Sequence, residues 1–142
     1  MDYKKTIIDG IYTCVLYRGN EYNTSTERGV KPLLAWINSG KDFHGYSAAD
    51  KIVGKAAAML YCLLGVEKVY APVMSESAVS VFQEHGILYE YDTVISKIIN
   101  RTNTGICPME EAVQNISLPE EAYAAIKQKV AILAQKKSID ID

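Results

Sequence analysis

SAADKIVGKAAAMLYCLL, residues Ser47 to Leu64, is the stretch on which the fold turns. Its second half is almost wholly apolar, and its first half carries Asp50, Lys51 and Lys55. A helix that is apolar on all sides is a buried one. The charges argue against a membrane crossing of this length. Ser47 followed by Asp50 has the form of a capping box, and Gly65 supplies a C-terminal stop. The stretch therefore predicts one continuous central helix in an α/β domain, with Gly54 inside it and packed closely against a neighbour. Lys51 and Lys55 would share one face of its first half. Partial positive charge there disfavours cations unless an anion is near.

The elements on either side follow from local pattern. The chain up to Gly10 reads as a short helix or loose strand. Ile11 to Tyr17 is rich in β-branched and aromatic residues and reads as a strand. After the turn Arg18-Gly19-Asn20, Glu21 to Thr26 pairs back as a hairpin. Val30 to Ser39 is a helix with Pro32 in its first turn and Gly40 at its end. Downstream, Glu67 to Met74 reads as a covered strand in which Pro72 takes an end or an unpaired position. Ser75 caps a helix, Glu76 to His85, that Gly86 ends. Ile87 to Tyr91 is a strand, and Val94 to Asn100 is a short helix or a strand, with helix preferred. Arg101 to Gly105 is a loop. Cys107-Pro108 opens one helix, and Ser117-Leu118-Pro119 opens the last, which runs to about Lys136. Strands separated by helices imply a mixed sheet with helices on both faces, a three-layer α-β-α sandwich. In such sheets ligands sit outside the strands' carboxyl ends, where helix N-termini gather. Here those termini would be Ser47, Ser75 and Cys107.

The 142 residues suit one domain, and 49% of them are hydrophobic. With 15 Lys and Arg against 17 Asp and Glu, the net charge is −2, so no basic face for nucleic acid is expected. Three cysteines fit reduced, cytoplasmic thiols better than a disulfide framework. Met1 to Lys5 is not followed by the apolar run of a signal peptide, and no membrane association is expected.

The element order resembles the cytidine-deaminase-like fold. Two segments, GVKPLLAWINSGKDFHGYSAADKIVGKAAAMLY (Gly29 to Tyr61) and INRTNTGICPMEEAV (Ile99 to Val113), resemble an uncharacterised bacterial family of that superfamily. The resemblance spans roughly residues 11 to 127 and implies a fold rather than an activity. Zinc deaminases carry His-x-Glu or Cys-x-Glu at the central helix and Pro-Cys-x-x-Cys at the next. Here those places read Ala49-Asp50-Lys51 and Met74-Ser75-Glu76-Ser77-Ala78. No zinc site, and no other cofactor, is expected.

What remains is a set of candidates, each with a plain alternative. Lys51 and Lys55 would face a phosphate or carboxylate, or they are lysines whose stems cover the core. Asp50 would act as an acid, or merely as a cap. Ser75, Glu76 and Ser77 would cradle an anion, or only start a helix. Arg101 and Asn103 would line the same place from their loop. Cys107, at a helix start where thiolates are favoured, would be the nucleophile, or a capping residue. His44 is a remote candidate for its base. The leading expectation is a zinc-independent pocket for an anionic small molecule, a nucleotide or related metabolite. The alternative is a non-catalytic interaction or regulatory module that kept the fold and lost the chemistry. Analogy with the superfamily adds a homodimer.

Overall fold

The computed structural model describes residues 2–98 and 107–141, those from 136 on by backbone alone. Helix α1 (Tyr3–Ile8) precedes a hairpin, β1 (Cys14–Arg18) and β2 (Glu21–Ser25), closed by Gly19-Asn20. Helix α2 (Lys31–Ser39) follows, then β3 (Ser47–Asp50), β4 (Ile52–Val53) and α3 (Lys55–Leu64). After these come β5 (Lys68–Ser75), α4 (Glu76–His85), β6 (Leu88–Ile95), α5 (Pro108–Val113) and α6 (Pro119–Ile141).

The predicted continuous helix over Ser47 to Leu64 is the main correction. Only its second half is helical. Ser47–Asp50 instead lies between two strands, antiparallel to β1 and parallel to β5. Ala48 faces the large core and Ala49 the small one on the opposite face, the alternation a doubly covered strand requires. Pairing on both edges outweighs the local capping pattern, because strand identity is decided by neighbours more than by propensity. Ser47 therefore caps nothing. Lys51 sits between β3 and β4, off the helix, and shares no helical face with Lys55.

The break at Lys51 has a cause in the neighbouring strand. Ala49 pairs with Tyr70 and Ile52 with Val73, so the register continues unchanged across the gap. Lys51 thereby falls opposite Pro72, which has no N–H to offer the ladder. Pro72 takes the unpaired position expected of it.

The sheet is mixed: β2, β1 and β3 alternate in direction, whereas β3, β4 and β6 all run parallel to β5. Val94 and Ile95 extend β6 against Met74 and Ser75, the strand alternative and not the preferred helix. A parallel strand is lengthened by its partner's register, which local composition does not reveal.

The two faces are unequally covered. Helices α2 to α6 form a continuous body on one face, centred on α3, whose Ala56 to Tyr61 are all buried. Among the described residues the other face carries only α1, whose Ile7 packs on Val15, Ala49 and Tyr70. The third layer of the expected sandwich is thus a single short helix. Lys4 of α1 pairs with Glu90 of β6, which also meets Lys68 at 3.5 Å.

Candidate functional site

The carboxyl ends of the parallel strands meet the N-termini of α3, α4 and α5, and most of the predicted residues gather there. Asp50 closes β3 directly opposite Cys14 of β1. It is 8% exposed. Its Oδ2 accepts the Tyr61 hydroxyl at 2.6 Å and its Oδ1 the Lys51 N–H at 2.8 Å. Burial pushes the carboxyl up to about 6, against the pull of these donors. With its hydrogen committed to Asp50, the Tyr61 oxygen receives the Cys14 thiol at 3.1 Å. Burial raises the Cys14 thiol well above its ordinary range, so the sulfur stays protonated. The three side chains form a closed hydrogen-bonded chain between sheet and central helix. Asp50 is therefore neither helix cap nor exposed acid. It accepts the Lys51 N–H at the break between β3 and β4, a donor that also reaches the Thr13 carbonyl at 3.3 Å.

The N-terminus of α3 is already filled. Glu110 of α5 accepts the Lys55 N–H through Oε1 and the Ala56 N–H through Oε2, both at 2.7 Å. These are orphan donors of a helix start, and the carboxylate satisfies two of them while meeting the positive end of the helix dipole. Gly54 is the N-cap and not a mid-helix residue. It is indispensable for space: a Cβ there would fall 2.1 Å from Glu110 Oε1 and 2.8 Å from Ile98 Cγ1. The close approach foreseen for Gly54 is real, but its partner is a carboxylate. The Lys55 ammonium donates to the Gln114 carbonyl at the end of α5, 3.2 Å away. Both ends of α5 are thus tied to the first residues of α3.

The other candidates sit nearby without converging. Ser75 Oγ accepts the Ala78 N–H at 3.1 Å and is an N-cap, as its plain reading held. Glu76 and Ser77 are exposed in the first turn of α4, and Lys51 is exposed beyond β3. Cys107 caps the six-residue α5 through its backbone, and its sulfur makes no capping bond. Its N–H donates to the Ile98 carbonyl at 3.0 Å. Arg101 and Asn103 lie outside the described residues. His44 cannot serve Cys107: its ring lies against Gly65, at the opposite end of α3, and its Nδ1 meets Asp42 Oδ1 at 2.7 Å. A ten-residue helix separates them by about 15 Å.

Glu110 is the residue that sequence reasoning missed. It was visible only as a first-turn glutamate of α5, and nothing local to it signals a partner in α3. No group of three or more His, Cys, Asp or Glu among the described residues is arranged to hold a metal ion. No described helix is long and apolar enough to cross a membrane. A groove of about 440 Å³ lies elsewhere, between α2 and α6.

Residues 3–130 match the model of a family described as a domain of unknown function, DUF1893. Two solved chains match. One of them is a crystal structure of a DUF1893 family protein from Thermotoga maritima, with 26% identity and a TM-score of 0.80, covering 88% of this chain and 85% of that one. No protein with a curated description matches.

Proposed function

The chain belongs to the DUF1893 family, a domain of unknown function, and from its geometry we propose that it is a non-catalytic interaction module on a cytidine-deaminase-like frame. The deaminase-like assignment is supported by the antiparallel hairpin that leads into parallel strands, with α3 leaving β4 and α4 leaving β5. Three free cysteines support a cytoplasmic setting.

The observation that carries this reading is Glu110. Where a deaminase-like cleft would offer a helix N-terminus to a ligand, this chain inserts its own carboxylate, held by two N–H groups. Lys55, the cation best placed to draw an anion in, is spent on Gln114. Cys107 has a short helix behind it and His44 is far away. The residues that once looked like machinery act as ties between α3, α5 and the strand ends.

The competing reading, a pocket for an anionic small molecule bounded by Lys51, Lys55, Ser75, Glu76, Ser77, Arg101 and Asn103, requires the ligand to displace Glu110. Thermal unfolding of the full chain with inorganic phosphate and a panel of nucleotides separates the two. A bound ligand at a hundred times its Kd stabilises by about 2.7 kcal/mol. The interaction module predicts no saturable shift. A saturable rise in Tm with any of these anions, abolished in Lys55→Ala, overturns it and restores the pocket.

A further inference from the structure

Asp50, Tyr61 and Cys14 come from three elements, β3, α3 and β1, and their polar atoms stand in a row. Tyr61 Oη is 2.6 Å from Asp50 Oδ2 and 3.1 Å from Cys14 Sγ. Such a row has two consistent arrangements of hydrogens, because a hydroxyl and a thiol can each donate or accept. With Asp50 ionised, Tyr61 donates to Oδ2 and the thiol donates to Tyr61. With Asp50 protonated, one more hydrogen must be housed. Oδ1 already faces a donor, the Lys51 N–H, so the acid's hydrogen belongs on Oδ2. Two hydrogens cannot share a gap of 2.6 Å. Asp50 then donates to Tyr61, Tyr61 turns its hydrogen to Cys14 Sγ, and the thiol hydrogen is released from Tyr61.

The same proton reaches the backbone. The Lys51 N–H lies between two acceptors, Asp50 Oδ1 at 2.8 Å and the Thr13 carbonyl at 3.3 Å. A carboxylate accepts more strongly than a neutral acid. Ionised Asp50 keeps the N–H, and neutral Asp50 yields it toward Thr13. Thr13 stands opposite Lys51 by continuation of the register that sets Cys14 opposite Asp50. The shift thus favours one more bond in the β1–β3 ladder, at the point where β3 gives way to β4.

Asp50 alone decides the charge on this row. Tyr61 and Cys14 are the titratable side chains that face it, from α3 and β1, and burial pushes both upward, so both keep their hydrogens near neutral pH. On the other side the register brings Ala71 of β5 alongside, which does not titrate. Of the charged side chains at these strand ends, Lys51 is exposed, and Lys55 and Glu110 are engaged with backbone groups of α5 and α3. Burial brings the Asp50 carboxyl to about 6, a range that solvent pH crosses.

We propose that Asp50, Tyr61 and Cys14 form a proton-operated switch, in which one hydrogen gained or lost at Asp50 reverses both side-chain hydrogen bonds and moves the Lys51 N–H between Asp50 and Thr13. The proton passes between Asp50 and solvent, and no bond between heavy atoms forms or breaks. The switch is independent of the interaction-module reading and stands or falls without it.

The test is a pH titration of the full chain followed at two places. Amide NMR reads the Lys51 N–H. The Cys14 S–H stretch, isolated as the Raman difference between wild type and Cys14→Ala, reads the thiol. As pH rises through about 6, the Lys51 amide proton should move downfield and the S–H band to lower frequency, with one shared midpoint. Asp50→Asn, which carries a donor where the acid carries its hydrogen, should hold both signals at their acid positions at every pH. Tyr61→Phe should keep the Lys51 response and abolish that of the thiol. A Lys51 amide that stays fixed across the titration overturns the proposal in the wild type alone. So do two different midpoints, a Lys51 response that persists in Asp50→Asn, or a thiol response that persists in Tyr61→Phe.

Discussion

Replacing Asp50 with asparagine should reverse a pH dependence that this one carboxyl imposes on the fold. Asp50 is buried, and its pKa rises from 3.8 to about 6 on folding. Because the folded state binds the proton more tightly, Asp50 favours folding when protonated. That contribution is complete below pH 4 and is lost as pH climbs through 6, where the ionised group must be held out of water. Two pKa units at 1.36 kcal/mol each make this about 3 kcal/mol. Asparagine fits the same contacts: Oδ1 accepts the Lys51 N–H, and Nδ2 donates to Tyr61, whose hydroxyl then turns toward Cys14. It does not titrate. The stability of Asp50→Asn minus that of the wild type should therefore rise by about 3 kcal/mol between pH 3 and pH 7.5. Any fixed difference in hydrogen bonding cancels in that comparison, as do the other titrating groups. Urea unfolding followed by the fluorescence of Trp36, the only tryptophan and half-buried beside Phe43, reads both proteins. A difference that stays flat with pH would refute the argument. A difference of opposite sign would mean that the donors around Asp50 outweigh its burial.

Four further outcomes rest on the same geometry. Glu110→Ala should cost about 2–4 kcal/mol in urea unfolding, by stranding two N–H groups at the start of α3. Gly54→Ala should destabilise by displacing that same carboxylate, so the two substitutions combined should cost clearly less than their sum in a double-mutant cycle. Ser75→Ala should lower stability by about 1 kcal/mol, the usual loss for a helix cap, with no change in the urea slope. In native protein, iodoacetamide followed by intact mass should leave Cys14 unmodified, since its thiol is 3% exposed and held protonated by burial. Modification of Cys14 at the rate of Cys107 would contradict the buried chain with Tyr61.

Elements whose signals are local were legible in the sequence. Ser75 and Gly86 bracket α4 as read, with Ser75 capping by side chain and Gly86 in the left-handed region. The hairpin at Gly19-Asn20 and α2 with Pro32 and Gly40 are equally local. Ser47 to Val53 was misread because its helix signal was local and its strand signal was not. What makes it a strand is the presence of β1 on one side and β5 on the other, and neither leaves a mark on the residues themselves. The unpaired place of Pro72 was foreseen, but the break it imposes on the facing strand was not. At the strand ends, the anion at the start of α3 is the Glu110 carboxylate and not a ligand. It belongs to the chain, fifty-odd residues downstream, and only folding brings it home.

The contact between Glu110 and α3 also bears on how this protein opens. The C-terminal third cannot peel away as an independent piece, because its departure would strip two donors at the head of the central helix and free Lys55 from α5 at the same moment. Opening of α5 and fraying of α3 are therefore one event. In amide exchange the first turn of α3 should share the protection of α5 and α6 rather than that of the strands before it. The boundary between cooperative units in this chain runs across the sequence, joining residue 55 to residue 110, and does not run along it.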